Sequence, residues 1–152
     1  MEGQKRIGLA AHDAVKVQLG AWAFANEAVL SDHVLTATGN TGRVIMEATN
    51  LDVTCLRAGT LGGDLELGAL VADNQIDILI LFSDPLTAQP HDVDPAPLLR
   101  IATIAQIAVA TTETTADFII RSELLSKPYF RRAHDASQLQ PAQRSITQRK
   151  RT

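Results

Sequence analysis

The sequence DILILF, residues 77–82, is the segment that decides the fold class. One aspartate is followed by a continuous run of large apolar residues, two of them β-branched isoleucines. A short run that is apolar on both faces is typical of a strand in a parallel sheet that helices cover on both sides. We therefore predict a central strand here, and we expect crossover helices and further strands on either side of it.

The flanking sequence alternates as this prediction requires. Further short apolar runs predict strands at residues 6–11, 33–38, 53–57 and 107–111. Segments of helical period predict helices at 13–27, 41–48, 64–73, 96–106 and 115–121, with a loop rich in proline and aspartate at 83–95. Such alternation is typical of right-handed βαβ crossovers. The sequence predicts one α/β domain over residues 1–123, in three layers around a five-stranded parallel sheet, and a partly irregular C-terminal arm over 124–152.

Composition excludes several classes of protein. A length of 152 residues suits one domain. The net charge of −3 disfavours a dedicated nucleic-acid binder, which would present a basic face. No apolar stretch approaches the roughly 20 residues that a membrane-spanning helix needs. The single cysteine cannot form an internal disulfide, which predicts a reducing, cytoplasmic location.

Three residues that often mark functional sites are predicted to be structural here. Cys55 lies in a short apolar run and is predicted to be a small buried strand residue. Trp22 lies on the first predicted helix and is expected in the core, while His33 is expected at the surface.

Polar and glycine-rich segments follow every predicted strand. They cover residues 12–13, 38–42, 58–64, 83–94 and 111–112. In open α/β sheets ligands bind at the carboxyl ends of the strands. The sequence therefore predicts one ligand site at this edge of the sheet.

The segment TATGNTG, residues 36–42, is a candidate anion site. A strand-to-helix turn exposes main-chain N–H groups at the positive end of a helix, and glycines such as Gly39 let a phosphate approach the main chain. Thr38, Asn40 and Thr41 can donate further hydrogen bonds, and Lys16 can supply a point charge. The alternative is a plain helix cap formed by Asn40 or Thr41.

The segment AGTLGGD, residues 58–64, forms a second such turn and ends on Asp64. An aspartate in a first helical turn is often only a partner of the helix dipole. Gly59, Gly62 and Gly63 favour a functional role, because they would let a substrate lie against the main chain beside the Asp64 carboxylate.

The loop at residues 83–95 holds His91 and the acids Asp84, Asp92 and Asp94. His91 can polarise a carbonyl oxygen by hydrogen bonding. Turn formation next to proline is the alternative role of the acids. A metal site that includes His12, Asp13 and His91 is a further alternative, but no spacing here matches a known metal motif.

These segments, in this order, resemble the methylglyoxal synthase family. The resemblance rests on AHD (11–13) with Lys16, ATGNTG (37–42), GGDLELGA (62–69), DPLTAQPHDVD (84–94), LLRIAT (98–103) and TADFII (115–120). It implies a flavodoxin-like domain, a homohexamer, and a carbon–oxygen lyase that converts dihydroxyacetone phosphate to methylglyoxal and inorganic phosphate without a cofactor or metal. Inorganic phosphate would be both product and inhibitor.

The resemblance also assigns roles to residues. It places the catalytic base at Asp64, the carbonyl-polarising histidine at His91 and acidic site residues at Asp13 and Asp94, with Asp84 beside the site. The residues that it implies for substrate and phosphate binding are His12, Lys16, Thr38, Gly39, Asn40, Thr41, Ala58 and Gly59.

Three departures from the family pattern concern phosphate. Asn40 stands where the family's phosphate loop usually has threonine, and it is still a donor. Ala58 stands where the family usually has serine, and in the C-terminal arm Arg144 stands one residue beyond the position of the family's arginine. A regulatory anion-binding module on the same fold is the alternative function, since it needs the phosphate turns but not Asp64 or His91. A phosphosugar isomerase would need the base but would retain the phosphate.

Overall fold

Five parallel strands form the centre of the computed structural model, which describes residues 3–86 and 94–132. The strands are β1 (Arg6–Ala11), β2 (Val34–Ala37), β3 (Val53–Cys55), β4 (Ile78–Phe82) and β5 (Ala108–Ala110). Their order across the sheet is β3-β2-β1-β4-β5, and each neighbouring pair is parallel. The predicted α/β class and the predicted five strands are confirmed.

Helices follow the strands as predicted. They are α1 (Lys16–Ala25), α2 (Glu27–Leu30), α3 (Gly39–Ala48), α4 (Gly63–Ala72), α5 (Ala96–Ile104) and α6 (Glu113–Ile120). Short 3₁₀ turns lie at Asp13–Val15, Gly59–Leu61 and Glu123–Leu125. Over residues 3–86 and 94–132, no helix combines the length and apolar character that a membrane crossing requires.

The helix predicted over residues 13–27 is divided. Asn26 is buried at the end of α1, and its side-chain amide donates a hydrogen bond to the main-chain carbonyl of Trp22, at 2.8 Å between Nδ2 and O. Asparagine side chains compete in this way with the hydrogen bonds of a continuing helix. Helix α1 therefore ends here, and α2 begins as a separate turn.

The strand order creates a single topological switch. From β1 the chain builds β2 and then β3 towards one edge, and it then crosses to build β4 and β5 on the other side of β1. This order differs from the flavodoxin order 2-1-3-4-5, although the three-layer arrangement is the same. The crevice expected at a switch point lies between the carboxyl ends of β1 and β4.

The core occupies both faces of the sheet. On β4 the side chains of Ile78, Ile80 and Phe82 pack with α1, α3 and α6, while Leu79 and Leu81 pack with α4 and α5. Each fully buried Leu, Ile or Phe side chain contributes about 1.5–3 kcal/mol. The burial of every residue of β4 confirms that DILILF is a central strand.

Trp22 belongs to the core, as predicted. The Trp22 side chain packs edge-on against Phe82, with ring centroids 6.0 Å apart. Its indole Nε1 donates to Oδ1 of Asp117 at 3.0 Å, which links α1 to α6.

Two predictions of burial were wrong. Cys55 is exposed, because β3 is an edge strand; its Sγ lies over Gly42, where an added Cβ would approach it to 2.5 Å. His33 is half-buried rather than at the surface. Its Nδ1 accepts a hydrogen bond from the main-chain N–H of Lys5 at 3.1 Å, and burial lowers the pKa of His33.

An ion pair between a buried carboxylate and a partly exposed guanidinium joins the amino ends of β1 and β4. The side chain of Asp77, 1% exposed, accepts from Nε of Arg6 at 3.0 Å and from Nη2 at 2.9 Å, as well as from the main-chain N–H of Arg6 at 2.9 Å. Burial alone would raise the pKa of Asp77, but the hydrogen bonds and charge of Arg6, with the charge of Arg131, outweigh it and hold the pKa below its usual value.

We expect Asp77→Asn to lower the free energy of unfolding by about 2–3 kcal/mol at pH 7, because Arg6 loses its buried counter-charge. The pKa of Asp77 in the folded chain lies below its ordinary value of 3.8. The ion pair therefore stabilises the fold fully above pH 3.8, and this stabilisation is lost as the pH falls through the pKa of the folded state. Urea denaturation at several pH values measures both effects. The exposed Asp73→Asn is the control, and equal stability of the two variants would contradict this account.

Candidate active site

A cleft opens at the carboxyl ends of β1 and β4. It encloses about 620 Å³ of space that no atom fills, its open mouth included. Eight of the predicted site residues line it: His12, Asp13, Lys16, Thr38, Asn40, Gly59, Asp64 and Asp94. The segments after β1, β2 and β3 and the start of α5 therefore meet at one place, as the edge of a parallel sheet requires.

Three other predicted residues lie beside the cleft without lining it. Gly39 donates its main-chain N–H to the carbonyl of Arg57 at 3.0 Å. Thr41 is 1% exposed, and its Oγ1 accepts from the hydroxyl of Thr38 at 3.1 Å. The carbonyl of Ala58 accepts the main-chain N–H groups of Leu61 and Gly63. The hydrogen bonds of these three residues stabilise the turns, but the residues do not line the cleft themselves.

The remaining predicted positions fall elsewhere in the chain. His91, Asp92 and Arg144 lie outside the described residues. Asp84 is described, and its Oδ1 accepts the main-chain N–H of Leu86 at 2.9 Å. This bond is the turn chemistry that was the alternative role of the loop acids.

One end of the cleft holds Lys16 and the start of α3. Nζ of Lys16 forms an ion pair with Oδ1 of Asp13, and the Lys16 side chain is 17% exposed. An ammonium has three N–H donors, so Lys16 can keep Asp13 and still bind an anion. Thr38 is the N-cap of α3, and within the described part of the chain no main-chain acceptor pairs with the N–H groups of Asn40 and Thr41. The positive end of α3 adds to this attraction for an anion.

Two glycines near the cleft have a role that differs from the predicted one. A Cβ added to Gly63 would lie 1.8 Å from the carbonyl oxygen of Arg57, and one added to Gly39 would lie 2.7 Å from that of Leu56. Both glycines therefore allow main chain to pack on main chain, a role that the sequence did not predict. This packing sets the separation between the start of α3 and the start of α4.

Asp64 occupies the first turn of α4, directly after Gly63. Asp64 is half-buried and lines the cleft, so the two predicted roles, dipole partner and site residue, coexist. In the same turn Glu66 pairs with Arg57, at 3.5 Å between Oε1 and Nε. The main chain therefore holds the turn that presents Asp64 against the segment just after β3, while this solvent-exposed ion pair adds little.

Asp94 and His12 complete the cleft on the side of β4. Oδ1 of Asp94 accepts the main-chain N–H of Ala96 at 2.9 Å at the start of α5. His12 donates its main-chain N–H to the carbonyl of Phe82 at 3.0 Å, and its Nδ1 accepts the main-chain N–H of Asp84 at 3.2 Å. Among the described residues, no group of three or more His, Cys, Asp and Glu side chains is arranged to hold a metal ion.

Sequence reasoning missed the apolar wall of the cleft and one hydroxyl. Leu81, Pro95 and Leu98 line the cleft. Leu81 belongs to DILILF, but the apolar pattern of a strand does not show which of its side chains will line a cleft at the end of the sheet. Thr60 also lines the cleft, and its place between the glycines of AGTLGGD was a signal that could have identified it.

Comparison with known proteins gives consistent results. The MGS-like domain model matches residues 20–111. Methylglyoxal synthases of Yersinia pestis (strain Pestoides F) and Yersinia pseudotuberculosis serotype O:1b (strain IP 31758) are each 51% identical over 123 residues, which cover 81% of this chain and 80% of theirs.

A solved structure agrees with the sequence relatives. The crystal structure of methylglyoxal synthase from Elizabethkingia anophelis NUHP1 matches with a TM-score of 0.88 at 38% identity, over 92% of this chain and 93% of that one. The domain model covers more than half of this chain, and the relatives are matched over most of their length. The chain therefore belongs to the methylglyoxal synthase family and is a lyase.

Proposed function

We propose that this chain acts on dihydroxyacetone phosphate, forms an enediolate from it and releases methylglyoxal and inorganic phosphate. The observation that carries the proposal is the single cleft that brings Asp64 together with Lys16 and Thr38. One carboxylate and one anion-binding end in the same cleft are what a base-catalysed phosphate elimination needs.

The end of the cleft at Lys16 and the start of α3 would bind the phosphate group. Lys16 supplies charge, Thr38 and Asn40 supply hydrogen bonds, and the turn at Gly59 and Thr60 forms the facing wall. Hydrogen bonds to a charged group are worth about 1.5–3 kcal/mol each, so a few of them hold a dianion firmly. Ala58 contributes only its carbonyl to the turn, and a serine there would offer an additional hydroxyl.

Asp64 would then remove a proton from the hydroxymethyl carbon next to the ketone. Carboxylates are weak bases towards carbon acids, so the fixed position of Asp64 on the first turn of α4 must compensate. General-base catalysis contributes typically about 10²–10⁴-fold. Asp13 would act through Lys16, with which it is paired, and Asp94 is the second carboxylate of the cleft.

His91 would stabilise the oxygen on which negative charge develops. This role rests on the family resemblance, because His91 lies outside the described residues. A neutral imidazole or an imidazolium can each donate a hydrogen bond to the enediolate oxygen.

The enediolate would next expel phosphate from the neighbouring carbon. The C–O bond to phosphate breaks when it stands perpendicular to the enediolate plane, because only then do its orbitals overlap the π system. The product enol takes up a proton at its terminal carbon and becomes methylglyoxal. The overall reaction converts one substrate molecule into two products, and it consumes no water and no external oxidant or reductant.

The proposal also covers the oligomeric state of the chain and its location in the cell. We infer a homohexamer in the cytoplasm, with dihydroxyacetone phosphate as substrate and inorganic phosphate as product and inhibitor. Large apolar side chains on the outer sides of α1 and α6 support self-association, since Val17, Phe24 and Phe118 are each more than half exposed.

We expect Asp64→Asn to lower methylglyoxal formation by about 10²–10⁴-fold while substrate affinity stays within a few fold, because the amide keeps the shape of the base but cannot accept the proton. Exchange of solvent deuterium into bound dihydroxyacetone phosphate is the direct measurement. Asp73→Asn, at the far end of α4, is the matched control and should exchange at the wild-type rate.

Three results would contradict parts of this proposal. Wild-type exchange in Asp64→Asn would place the base elsewhere, with Asp94 as the next candidate. Phosphate binding by the unmodified chain without any turnover would indicate a regulatory anion-binding module. Isomerised substrate that retains its phosphate would indicate an isomerase.

We expect His91→Gln to lower kcat by about 10²–10³-fold, the usual effect of losing one donor to a developing oxyanion. The same change should weaken the binding of a hydroxamate that mimics the enediolate more than it weakens the binding of inorganic phosphate. Only the hydroxamate presents an oxygen that corresponds to the charged enediolate oxygen. Inhibition constants of the two ligands measure this difference. Equal losses for both would assign His91 to the phosphate instead.

Sedimentation equilibrium tests the proposed assembly. The unmodified chain at micromolar concentration should give six times the mass of one chain. The mass of a single chain under these conditions would rule out the hexamer.

A further inference from the structure

Arg43 contacts a residue of the cleft from outside the cleft. Its Nη2 donates to Oδ1 of Asn40 at 3.0 Å, and both residues belong to the first half of α3. Asn40 lines the cleft together with Lys16 and Thr38, whereas Arg43 is exposed and does not line it. Any effect of the Arg43 hydrogen bond on a ligand of the cleft therefore passes through the side chain of Asn40.

The hydrogen bond from Arg43 determines which way the amide of Asn40 faces. A guanidinium has only N–H donors, so it pairs with the oxygen of an amide and not with its nitrogen. Oδ1 is thus occupied, while Nδ2 keeps two N–H donors for which residues 3–86 and 94–132 show no acceptor. This orientation suits a phosphate, whose ionised oxygens accept hydrogen bonds. The reverse orientation would turn a carbonyl oxygen towards the anion.

A surface pair that only supports the helix is the alternative explanation. Side chains three residues apart on a helix often interact, with small effects on stability. Over the same spacing Lys16 is paired with the carboxylate of Asp13, but in the described part of the chain Arg43 forms no ion pair, although Glu47 follows it by one turn. An anion beside Asn40 therefore attracts Arg43 towards the amide and does not compete with an acid for it.

We propose that Arg43 is a positioning residue for phosphate binding, which holds Oδ1 of Asn40 so that Nδ2 can donate to a phosphate oxygen. This inference rests on the proposed function for the identity of the anion. The need for such a partner is specific to an amide, which has its acceptor and its donors on different atoms. A hydroxyl rotates, and it can accept and donate at the same time.

Removal of the guanidinium is the first measurement. We expect Arg43→Met, which keeps an apolar stem, to bind inorganic phosphate about 3- to 10-fold more weakly in titration calorimetry, because Asn40 must then be ordered by the ligand itself. The KM for dihydroxyacetone phosphate should rise by a similar factor while kcat stays within about twofold, since the phosphate contact is the same in substrate and transition state. The thermal unfolding midpoint should not change.

The same substitution in an Asn40→Thr background separates orientation from charge. The charge of Arg43 would act on an anion whichever residue stands at position 40, but a threonine hydroxyl needs no partner to orient it. We expect Arg43→Met to weaken phosphate binding less in this background, by a factor of more than about two. Losses that agree within twofold would mean that Arg43 acts through its charge alone and would overturn the proposal.

Arg121→Met is the matched control for the loss of one exposed guanidinium. Arg121 follows the last residue of α6, where it pairs with Asp117, and it does not line the cleft. This variant should bind phosphate as the unmodified chain does. A loss equal to that of Arg43→Met would indicate an effect of net charge and would contradict the role of Arg43.

Nitrogen-15 relaxation of the labelled chain measures the order of the amide directly. The side-chain signal of Asn40 is identified by its absence from Asn40→Thr, and its order parameter should fall in Arg43→Met. An unchanged order parameter, or an unmodified chain that binds no phosphate, would overturn the proposal. If the unmodified chain binds phosphate but forms no methylglyoxal, the proposed function fails, and the phosphate affinities and the order parameter still test Arg43.

Discussion

The carbonyl oxygen of Arg57 is the point on which the arrangement of the cleft depends. It accepts the main-chain N–H of Gly39 at 3.0 Å, and it lies so close to Gly63 that an added Cβ would approach it to 1.8 Å. The start of α3 and the start of α4 are therefore both held against one residue just after β3. Because Asn40 belongs to the first helix and Asp64 to the second, this packing fixes the turn that we propose to bind phosphate relative to the carboxylate that we propose as base. Protein interiors resist even small changes of volume, so the separation of the two groups is set by backbone contact and not by flexible side chains.

The two central strands are joined differently at their two ends. At the amino ends, the buried carboxylate of Asp77 pairs with the partly exposed guanidinium of Arg6. At the carboxyl ends, His12 makes hydrogen bonds to the main chain of Phe82 and of Asp84. The buried carboxylate at the amino ends is neutralised where no ligand is proposed, whereas at the carboxyl ends Lys16 pairs with Asp13 and still lines the cleft. An anion entering that cleft adds its charge to a region where helix ends and Lys16 favour it, which is a physical reason for the site to occupy this edge of the sheet.

The sequence allowed the class of fold to be predicted because DILILF is buried on both faces and because strands alternate with helical segments. The order of the strands did not follow from these patterns, since periodicity describes how a segment is covered and not which segment it pairs with. Cys55 was misplaced for the same reason: its apolar surroundings suggested burial, and only the pairing shows that β3 is an edge. At the cleft, the strand-end rule brought together eight of the predicted residues. It could not reveal that Gly63 serves main-chain packing or that His12 bonds to a residue far along the chain, because both facts depend on tertiary contacts.

The position of β1 in the sheet has a consequence for how the chain is made. Arg6 pairs with Val34, which follows soon after it in the chain, but Ile7 also pairs with Ile78, which is synthesised much later. Until β4 emerges from the ribosome, β1 is an open edge with unpaired main-chain groups, the kind of surface on which chains aggregate. The docking of β4 closes that edge and in the same step brings Asp84 to His12. Premature termination before residue 78 would therefore leave an aggregation-prone fragment whose cleft lacks Leu81, Asp94, Pro95 and Leu98, so that protection from aggregation and completion of the cleft both depend on the later part of the chain.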